Sequence, residues 1–474
     1  MAEELDNCSD NYTASQHEWS EANSQNSKAQ RIDYISQPVS ELEGQLKVMG
    51  DKSISHRALL LGSLAQGKTR IHNCLMAKDI LATVQVLQQL GIEIEQEDNC
   101  ITILGNGKQG YKTPKETLDF GNSGTSLRLM TSILAGQGIA SRLIGDESLS
   151  LRPMARIIKP LIAMGARIQA AENDTPPLMV HPIAVTKPID YRLPMASAQV
   201  KSALLLAGLY TKGVTLITEP LPTRDHTERM LRCFGVELGS QSGKISLYGE
   251  QELKSTELYI PADLSSAAFF IVGACISKHA CLTLRQVGIN PSRLGIIHLL
   301  RRMGAKLQLH NISWFNNEPI ADITVQASEL TAISVNADEV ALAVDELPIF
   351  CIAAACAMGK TKITGATELR YKESDRIKAM VTGLTNLGIK AEEISDGLTI
   401  EGGSLQGGVV DSVGDHRIAM AFSMAAAAAT QAIRVLNCAN VATSLPNFMK
   451  LANQIGFNIL SVSEEAAMIS ASTI

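Results

Sequence analysis

Side chains able to hold or move charge recur in this chain at the starts of apolar runs. The first group is Met49-Gly50-Asp51-Lys52-Ser53-Ile54-Ser55-His56-Arg57, set between the alternating Leu46 and Val48 and an apolar run from Ala58 to Leu64. That order predicts a strand, a tight turn and a helix start, with Asp51 or Ser53 as the cap. First-turn N–H groups have no intrahelical partners, and the helix dipole favours an anion there. Lys52 and Arg57 add positive charge and Ser53 adds a hydroxyl, so the chemistry on offer is the seating of a phosphate or a carboxylate. Taken alone, the stretch is equally well explained as a solvated, capped helix start.

Six further stretches repeat the theme. Gly121-Asn122-Ser123-Gly124-Thr125-Ser126-Leu127-Arg128 leads into an apolar helix through Leu134, and Gly124 would let backbone N–H groups come close to a ligand. Gly145 to Arg156 carries Arg152 and Arg156 at helical spacing around Pro153, with planar forks suited to carboxylate or phosphate. Pro194-Met195-Ala196-Ser197-Ala198-Gln199-Val200-Lys201 opens a long apolar helix to Leu209. Thr223-Arg224-Asp225-His226-Thr227-Glu228-Arg229 is a charged loop entering a helix, with His226 read as a local hydrogen-bonding residue. Leu369 to Arg376 is the densest cluster: Lys372 and Arg376 would share a helix face, and Glu373 among cations should keep a low pKa unless partly buried. Gly414-Asp415-His416-Arg417 precedes an Ala-rich helix from Ile418 to Ala429.

One acidic stretch stands apart. Asp345-Glu346-Leu347-Pro348 interrupts two apolar runs, where lone charges are avoided. Asp345 as helix N-cap, with Pro348 in the first turn, is compatible with a chemical role. Lys52, Arg57, Arg152, Arg224, Lys372, Arg376 and Arg417 together describe a site for a small polyanion with more than one anionic group. No metal-ligand spacing and no dinucleotide fingerprint accompanies them.

The elements that must position these groups recur too. A helix ends in a Gly that runs into an alternating strand at Leu90-Gly91-Ile92, Met164-Gly165-Ala166, Phe234-Gly235-Val236, Met303-Gly304-Ala305, Leu387-Gly388-Ile389 and Ile455-Gly456-Phe457. A second helix–turn–strand join falls between these, at Gly67, Gly213 and Gly359. Two joins per unit, in about six units at roughly 70-residue spacing, make an internal repeat of two helices and several strands. The strands alternate too cleanly for a sheet buried on both faces. The repeat also disposes of a decoy. Gly62-Ser63-Leu64-Ala65-Gln66-Gly67-Lys68-Thr69 matches G-x-x-x-x-G-K-[ST], but a phosphate-binding loop follows a strand and opens a helix. Here a helix precedes and a strand follows, with Gly67 as the expected helix C-cap.

Composition bounds the rest. The 474 residues suggest about two to four domains. A formal net charge of −6 argues against bulk nucleic-acid binding. The nine cysteines are odd in number, lack C-x-x-C spacing and sit partly in apolar runs, as expected of reduced core residues in a cytosolic protein. The Ile418–Ala429 run is too short to cross a bilayer, and no signal peptide opens the chain. Residues 1–31, rich in Ser, Asn, Gln and Glu, are expected to form a disordered extension.

The segments DKSISHR, GNSGTSLR, SLRPMAR, MASAQVKSA, TRDHTERM, DELPI, RYKESDRI and GDHRIAMA, in that order, resemble the 5-enolpyruvylshikimate-3-phosphate synthases of the class II branch. The likeness covers nearly everything after about Ile32. It implies an α/β, two-domain inside-out prism of six βαβαββ repeats, the enolpyruvyl transferase fold. One domain would span residues 51–259, and the other would combine residues 32–50 with 260–474. It implies transfer of the enolpyruvyl group of phosphoenolpyruvate to the 5-hydroxyl of shikimate 3-phosphate, without a cofactor or a metal, by a cytoplasmic monomer that engages neither membrane nor nucleic acid. By motif match, Lys52, Ser53, Arg57, Ser197, Ala198, Gln199, Arg224, Asp345 and Lys372 would hold shikimate 3-phosphate. Lys52, Gly124, Arg152, Gln199, Arg376 and Arg417 would hold phosphoenolpyruvate. Lys52, Asp345 and Glu373 would be catalytic, Asp345 taking the hydroxyl proton and Glu373 serving the methylene carbon.

Two further expectations follow. Many relatives carry a Lys just before the last helix, where this chain has Thr443, with Lys450 further on. Insensitive class II relatives can carry Ala at Gly124, so Gly124 should leave room for the inhibitor glyphosate. Two rival readings compete with this one. The sister transferase acting on UDP-N-acetylglucosamine carries a reactive Cys in the loop matching Asp146 to Arg156, where this chain has none. A non-catalytic anion- or nucleotide-binding protein would rest on the Gly62–Thr69 match.

Overall fold

The computed structural model describes residues 31–97, 99–185 and 187–463. The extension expected over residues 1–31 therefore lies, apart from Arg31, outside the described residues.

Six helices form the interior: Lys52–Leu64, Gly124–Gln137, Ala198–Gly208, Leu264–Ile276, Leu347–Ala355 and His416–Met424. They are rich in Ala and Leu and buried around most of their circumference, as an evenly apolar helix must be. Five start under a side-chain cap: Asp51, Ser123, Ser197, Asp263 and Asp415 accept from first-turn N–H groups. The Leu347–Ala355 helix differs. Its N-cap is Glu346, without a side-chain hydrogen bond, and Pro348 sits in its first turn. Asp345 is therefore not the cap that the sequence suggested.

Six four-stranded sheets surround these helices, all with one internal order. An edge strand runs parallel to its neighbour, and two antiparallel strands follow. In one of them Glu257–Tyr259 pairs in parallel with Gln66–His72, which pairs antiparallel with Cys100–Asn106 and then Glu93–Glu97. The strand Cys100–Asn106 alternates buried and exposed side chains, which places one face on the helices and the other in water. Helices inside and sheets outside make an inside-out α/β prism.

The six recurrent glycines, Gly91 to Gly456, all have positive φ, between 82° and 112°, as the helix-to-strand reversal demands. Gly67 also has positive φ, but it is the second residue of the strand Gln66–His72. The cap of the preceding helix is Ala65, which corrects that expectation. A helix does precede this strand, so the phosphate-loop match has the wrong order of elements. The Ala-rich run at the C-terminal end is α-helical only to Met424 and tightens to a 3-10 turn over Ala425–Ala427.

Buried apolar residues fall into two clusters. One runs from Ile54 to Ile260. The other joins Tyr34, Leu42, Leu46 and Val48 to residues from Ala262 to Ile459. The chain passes twice between them, and the two crossings are hydrogen-bonded: Asp51 N–H to Pro261 O (2.8 Å) and Asp263 N–H to Met49 O (3.0 Å). Gly50 belongs here for steric reasons, because a Cβ would lie 2.0 Å from Asn73 O. Beneath the crossings the buried Arg293 meets Asp51 (3.3 Å), Asp263 (3.4 Å) and Glu346 (3.5 Å). Burial, and then the neighbouring Asp51, push the Asp263 carboxyl up to about 6.

Candidate active site

Helix starts from both halves face one gap. Lys52 is the first residue of its helix and pairs with Asp79 at 3.0 Å. Ser53 follows it. Arg57, one turn on, is buried, donating to Thr227 Oγ1 (2.6 Å), Ser202 Oγ (2.8 Å) and Ser53 O (2.9 Å). Burial lowers its guanidinium to about 10, so it stays charged at neutral pH. Ser197 caps the Ala198–Gly208 helix. From that helix Gln199 donates to Thr125 Oγ1 (3.0 Å) and accepts from Arg128 Nη1 (2.9 Å).

Arg152 does not share a helix with Arg156. The helix begins at Ala155, beyond Pro153, so the four-residue spacing does not put them on one helix face. Arg152 donates to Asn122 Oδ1 (2.9 Å) and Ser148 Oγ (3.2 Å) and lies 3.8 Å from Glu373 of the other half. Arg156 turns to Met195 Sδ. Lys372 and Arg376 do not share a helix face either, since the helix starts at Arg376. They converge instead on one oxygen of Asp345, each at 3.8 Å.

The acidic groups sit inside this ring of cations. Asp345 Oδ2 is 2.5 Å from Arg224 Nη2, across the gap, and Arg417 donates to the Asp345 carbonyl (2.8 Å). Burial works to raise the Asp345 carboxyl, but Arg224, Lys372, Arg417 and Arg376 hold it well below the usual range. Glu373 is 2.6 Å from Arg376. Burial opposes its ionisation as well, and Arg376, then Arg152, outweigh it. Partial burial thus does not lift Glu373, contrary to the reservation attached to it, because two guanidiniums act at contact range. Both carboxylates are held in the ionised form by the cations around them.

Several residues of this site carried little sequence signal. Asp415, read as part of a basic helix start, is buried and fixes Arg376 through its Nε (2.8 Å). His416 lines a pocket of about 90 Å³ together with Glu373, Asn122, Asn440 and Thr443. Burial, then Lys52, lower its imidazole to about 3, so it is neutral, and its Nε2 has no hydrogen-bond partner among the described residues. Among the described residues no Lys or Arg lines that pocket, and Lys450 is exposed. Arg128 and Asp79 were passed over because their partners lie dozens of residues away. His226, expected to bond locally, reaches Glu318 of the other half at 2.7 Å.

The family model described as EPSP synthase (3-phosphoshikimate 1-carboxyvinyltransferase) matches residues 36–451. The chain belongs to that family. The 3-phosphoshikimate 1-carboxyvinyltransferase of Coxiella burnetii (strain RSA 493) is 50% identical over 433 residues, covering 91% of this chain and 99% of the relative. That of Methylococcus capsulatus is 51% identical over 423 residues, covering 89% and 97%. Among solved structures, the EPSP synthase of Acinetobacter baumannii covers 92% of this chain and all of its own, with a TM-score of 0.82 at 46% identity. The enolpyruvyl transferase NikO of Streptomyces tendae has a TM-score of 0.75 at 16% identity, a likeness of fold alone. The prism is therefore the enolpyruvyl transferase fold. Among the described residues no helix is long and apolar enough to cross a membrane, and no cluster of His, Cys, Asp or Glu could hold a metal ion.

Proposed function

We infer that this protein transfers the enolpyruvyl group of phosphoenolpyruvate to the 5-hydroxyl of shikimate 3-phosphate, releasing inorganic phosphate. The observation that carries the reading, beside family membership, is the meeting of cations from both halves around Asp345 and Glu373. Both substrates are polyanions, and such a ring provides for their phosphates and carboxylates.

The assignment of groups rests on the family resemblance, motif by motif, and the cations that each carboxylate now occupies suggest how the charges would shift. Shikimate 3-phosphate would take Lys52, Ser53, Arg57, Ser197, Ala198, Gln199, Arg224 and Lys372. With Arg224 and Lys372 drawn to the phosphate, Asp345 would lose two of the charges that depress its pKa and become the base for the 5-hydroxyl. Phosphoenolpyruvate would take Lys52, Gly124, Arg152, Gln199, Arg376 and Arg417. Arg376 and Arg152 are the groups that keep Glu373 ionised, so their engagement would raise Glu373 towards a value at which it can carry a proton.

The hydroxyl oxygen then bonds to C2 of phosphoenolpyruvate as a proton adds to its methylene C3. The resulting tetrahedral intermediate loses a C3 proton and the C2–O bond to phosphate, whose departing charge the cations stabilise. The two halves would act as domains, residues 51–259 against 32–50 with 260–474, closing over the substrates and expelling water. This division is supported by the two apolar clusters and the paired crossings. The finer expectations of a cytoplasmic monomer with no cofactor rest on the family resemblance. Phosphate release measured with both substrates, and with each omitted in turn, tests the reading. Release that persists without shikimate 3-phosphate would overturn it.

A further inference from the structure

The sheet that contains Lys306–Phe315 and Glu318–Gln326 has a hairpin of ten- and nine-residue strands, longer than those of the other sheets. Its turn, with Asn316 at a φ of 54°, carries the tip out of its own half and onto the other. Asn316 accepts from Tyr259 N–H (3.0 Å) and donates to Glu257 O (3.1 Å). Asn317 O accepts from Arg229 Nη1 (2.6 Å), and Asn317 Nδ2 donates to Arg229 O (3.2 Å). These four bonds lie at the surface.

A further contact is different in kind. Glu318, 7% exposed, receives His226 Nδ1 at 2.7 Å, and His226 is 2% exposed. The other Glu318 oxygen accepts from Asn290 Nδ2 (2.9 Å), which also donates to Asp225 Oδ1 (2.7 Å). His226 is the first residue of the helix His226–Cys233, whose N-cap, Asp225, makes no side-chain capping bond. The start of this helix is thus held from across the gap rather than by a cap of its own. Two site contacts depend on that start. Arg224, two residues earlier, reaches Asp345. Thr227, the next residue, receives Arg57 Nε and meets Ser202 Oγ, each at 2.6 Å.

We propose that Glu318 is a positioning residue for shikimate 3-phosphate, acting through His226 to hold Arg224 and the Thr227–Arg57 pair in register with Asp345. It is not among the residues assigned above to either substrate. Its effect should fall on the side of the site where Arg224 and Arg57 act, and spare the side of Arg152 and Arg376. This rests on the functional reading above, and wild-type turnover with both substrates checks that reading separately.

The test is steady-state kinetics with each substrate varied, alongside the melting temperature. Removing a buried hydrogen bond to a charged group has an effect of about tenfold or more. Glu318→Ala should raise the KM for shikimate 3-phosphate about tenfold and leave the KM for phosphoenolpyruvate within about threefold. Glu318→Gln, which can still accept from His226, should recover most of the loss. Asn316→Ala, which removes surface bonds of the same hairpin, should lower the melting temperature without this KM split. If Glu318→Ala does not accumulate as folded protein, His226→Phe, which keeps a ring but has no donor, removes the same bond from the other side and carries the same expectation. Equal rises in both KM values, or a lowered melting temperature with both KM values unchanged, would overturn the proposal.

Discussion

Arg224 and Asp345 come from opposite halves of the chain and meet at 2.5 Å across the gap between them. The pair bridges the two halves with charges of opposite sign. Arg224, Lys372, Arg417 and Arg376 hold the Asp345 carboxyl well below its usual range, so on the proposed reading a substrate phosphate would have to compete for those cations before Asp345 could act as a base. Asp345→Asn should lower kcat by about 10²-fold or more, as for a positioned base. Arg224→Ala should mainly raise the KM for shikimate 3-phosphate, by about tenfold or more. Initial rates with each substrate varied separate the two outcomes, and an Asp345→Asn enzyme with wild-type kcat would remove that residue from proton transfer.

Glu373 leads to a proton-counting experiment. Its carboxyl lies well below the usual range because Arg376 and Arg152 outweigh its burial. A ligand that recruits those guanidiniums raises the pKa, and where it carries the carboxyl to near neutral the complex holds more protons there than the free protein. Phosphoenolpyruvate binding in the presence of shikimate 3-phosphate should therefore take up protons, seen as a dependence of the calorimetric heat on the ionisation enthalpy of the buffer. Glu373→Gln should abolish that uptake and lower kcat by about 10²-fold, leaving binding mostly intact. Uptake undiminished in the variant would assign the proton to another group.

Gly124 faces two guanidiniums. A Cβ there would lie 2.9 Å from Arg128 Nη1 and 3.3 Å from Arg152 Nη1, and Arg128 is held by Gln199. If a ligand uses the space that the missing Cβ leaves, glyphosate should inhibit the wild-type protein well below millimolar concentration, about the top of ordinary KM values. Gly124→Ala should weaken inhibition by about tenfold or more and raise the KM for phosphoenolpyruvate by less. Inhibition curves for the two proteins at matched substrate decide the matter, and unchanged wild-type activity at millimolar glyphosate would count against it.

The cluster beneath the crossings governs a pH dependence of stability. Asp263 is raised to about 6 by burial and by Asp51, whereas an unfolded Asp titrates near 4. Between those values the folded chain holds the extra proton, so this group's contribution to stability falls as pH rises from about 4 to about 6. Asp263→Asn keeps a capping oxygen for Ser265 N–H and removes the titration. Its melting temperature should decline less than that of the wild type across this interval, by a margin of several degrees. Parallel melting curves for the two proteins would exclude Asp263 as the source.

The repeat was legible because it is written in residues adjacent in sequence. Gly91 and its five counterparts stop a helix and begin a strand wherever they occur. Asp51, Ser123 and Ser197 lie next to the helices they cap. Reading failed where spacing along the chain was taken for a shared face. Arg152 with Arg156 and Lys372 with Arg376 each straddle a helix start, so the four-residue rule does not apply to them. Asp345 was mistaken for a cap because an acid before Leu-Pro has that local meaning, while its real partners lie up to 121 residues away. Arg376 with Asp415 and His226 with Glu318 are likewise invisible to local pattern, since only the folded sheets bring them together.

The order in which strands find their partners bears on synthesis. Glu257–Tyr259 completes the sheet begun by Gln66–His72, so every strand of the sheets around the Ile54–Ile260 core exists once residue 259 has been made. The strand Ile32–Gln37 emerges far earlier but pairs only with Ile433–Leu436 and Asn458–Ser463, close to the end of translation. On a ribosome adding about 5–20 residues per second, one half can mature while the first strand of the other stays an unpaired edge for ten seconds or more. A nascent chain arrested after the first half should already resist protease over residues 51–259, with the segment before it still open to cleavage and to chaperones.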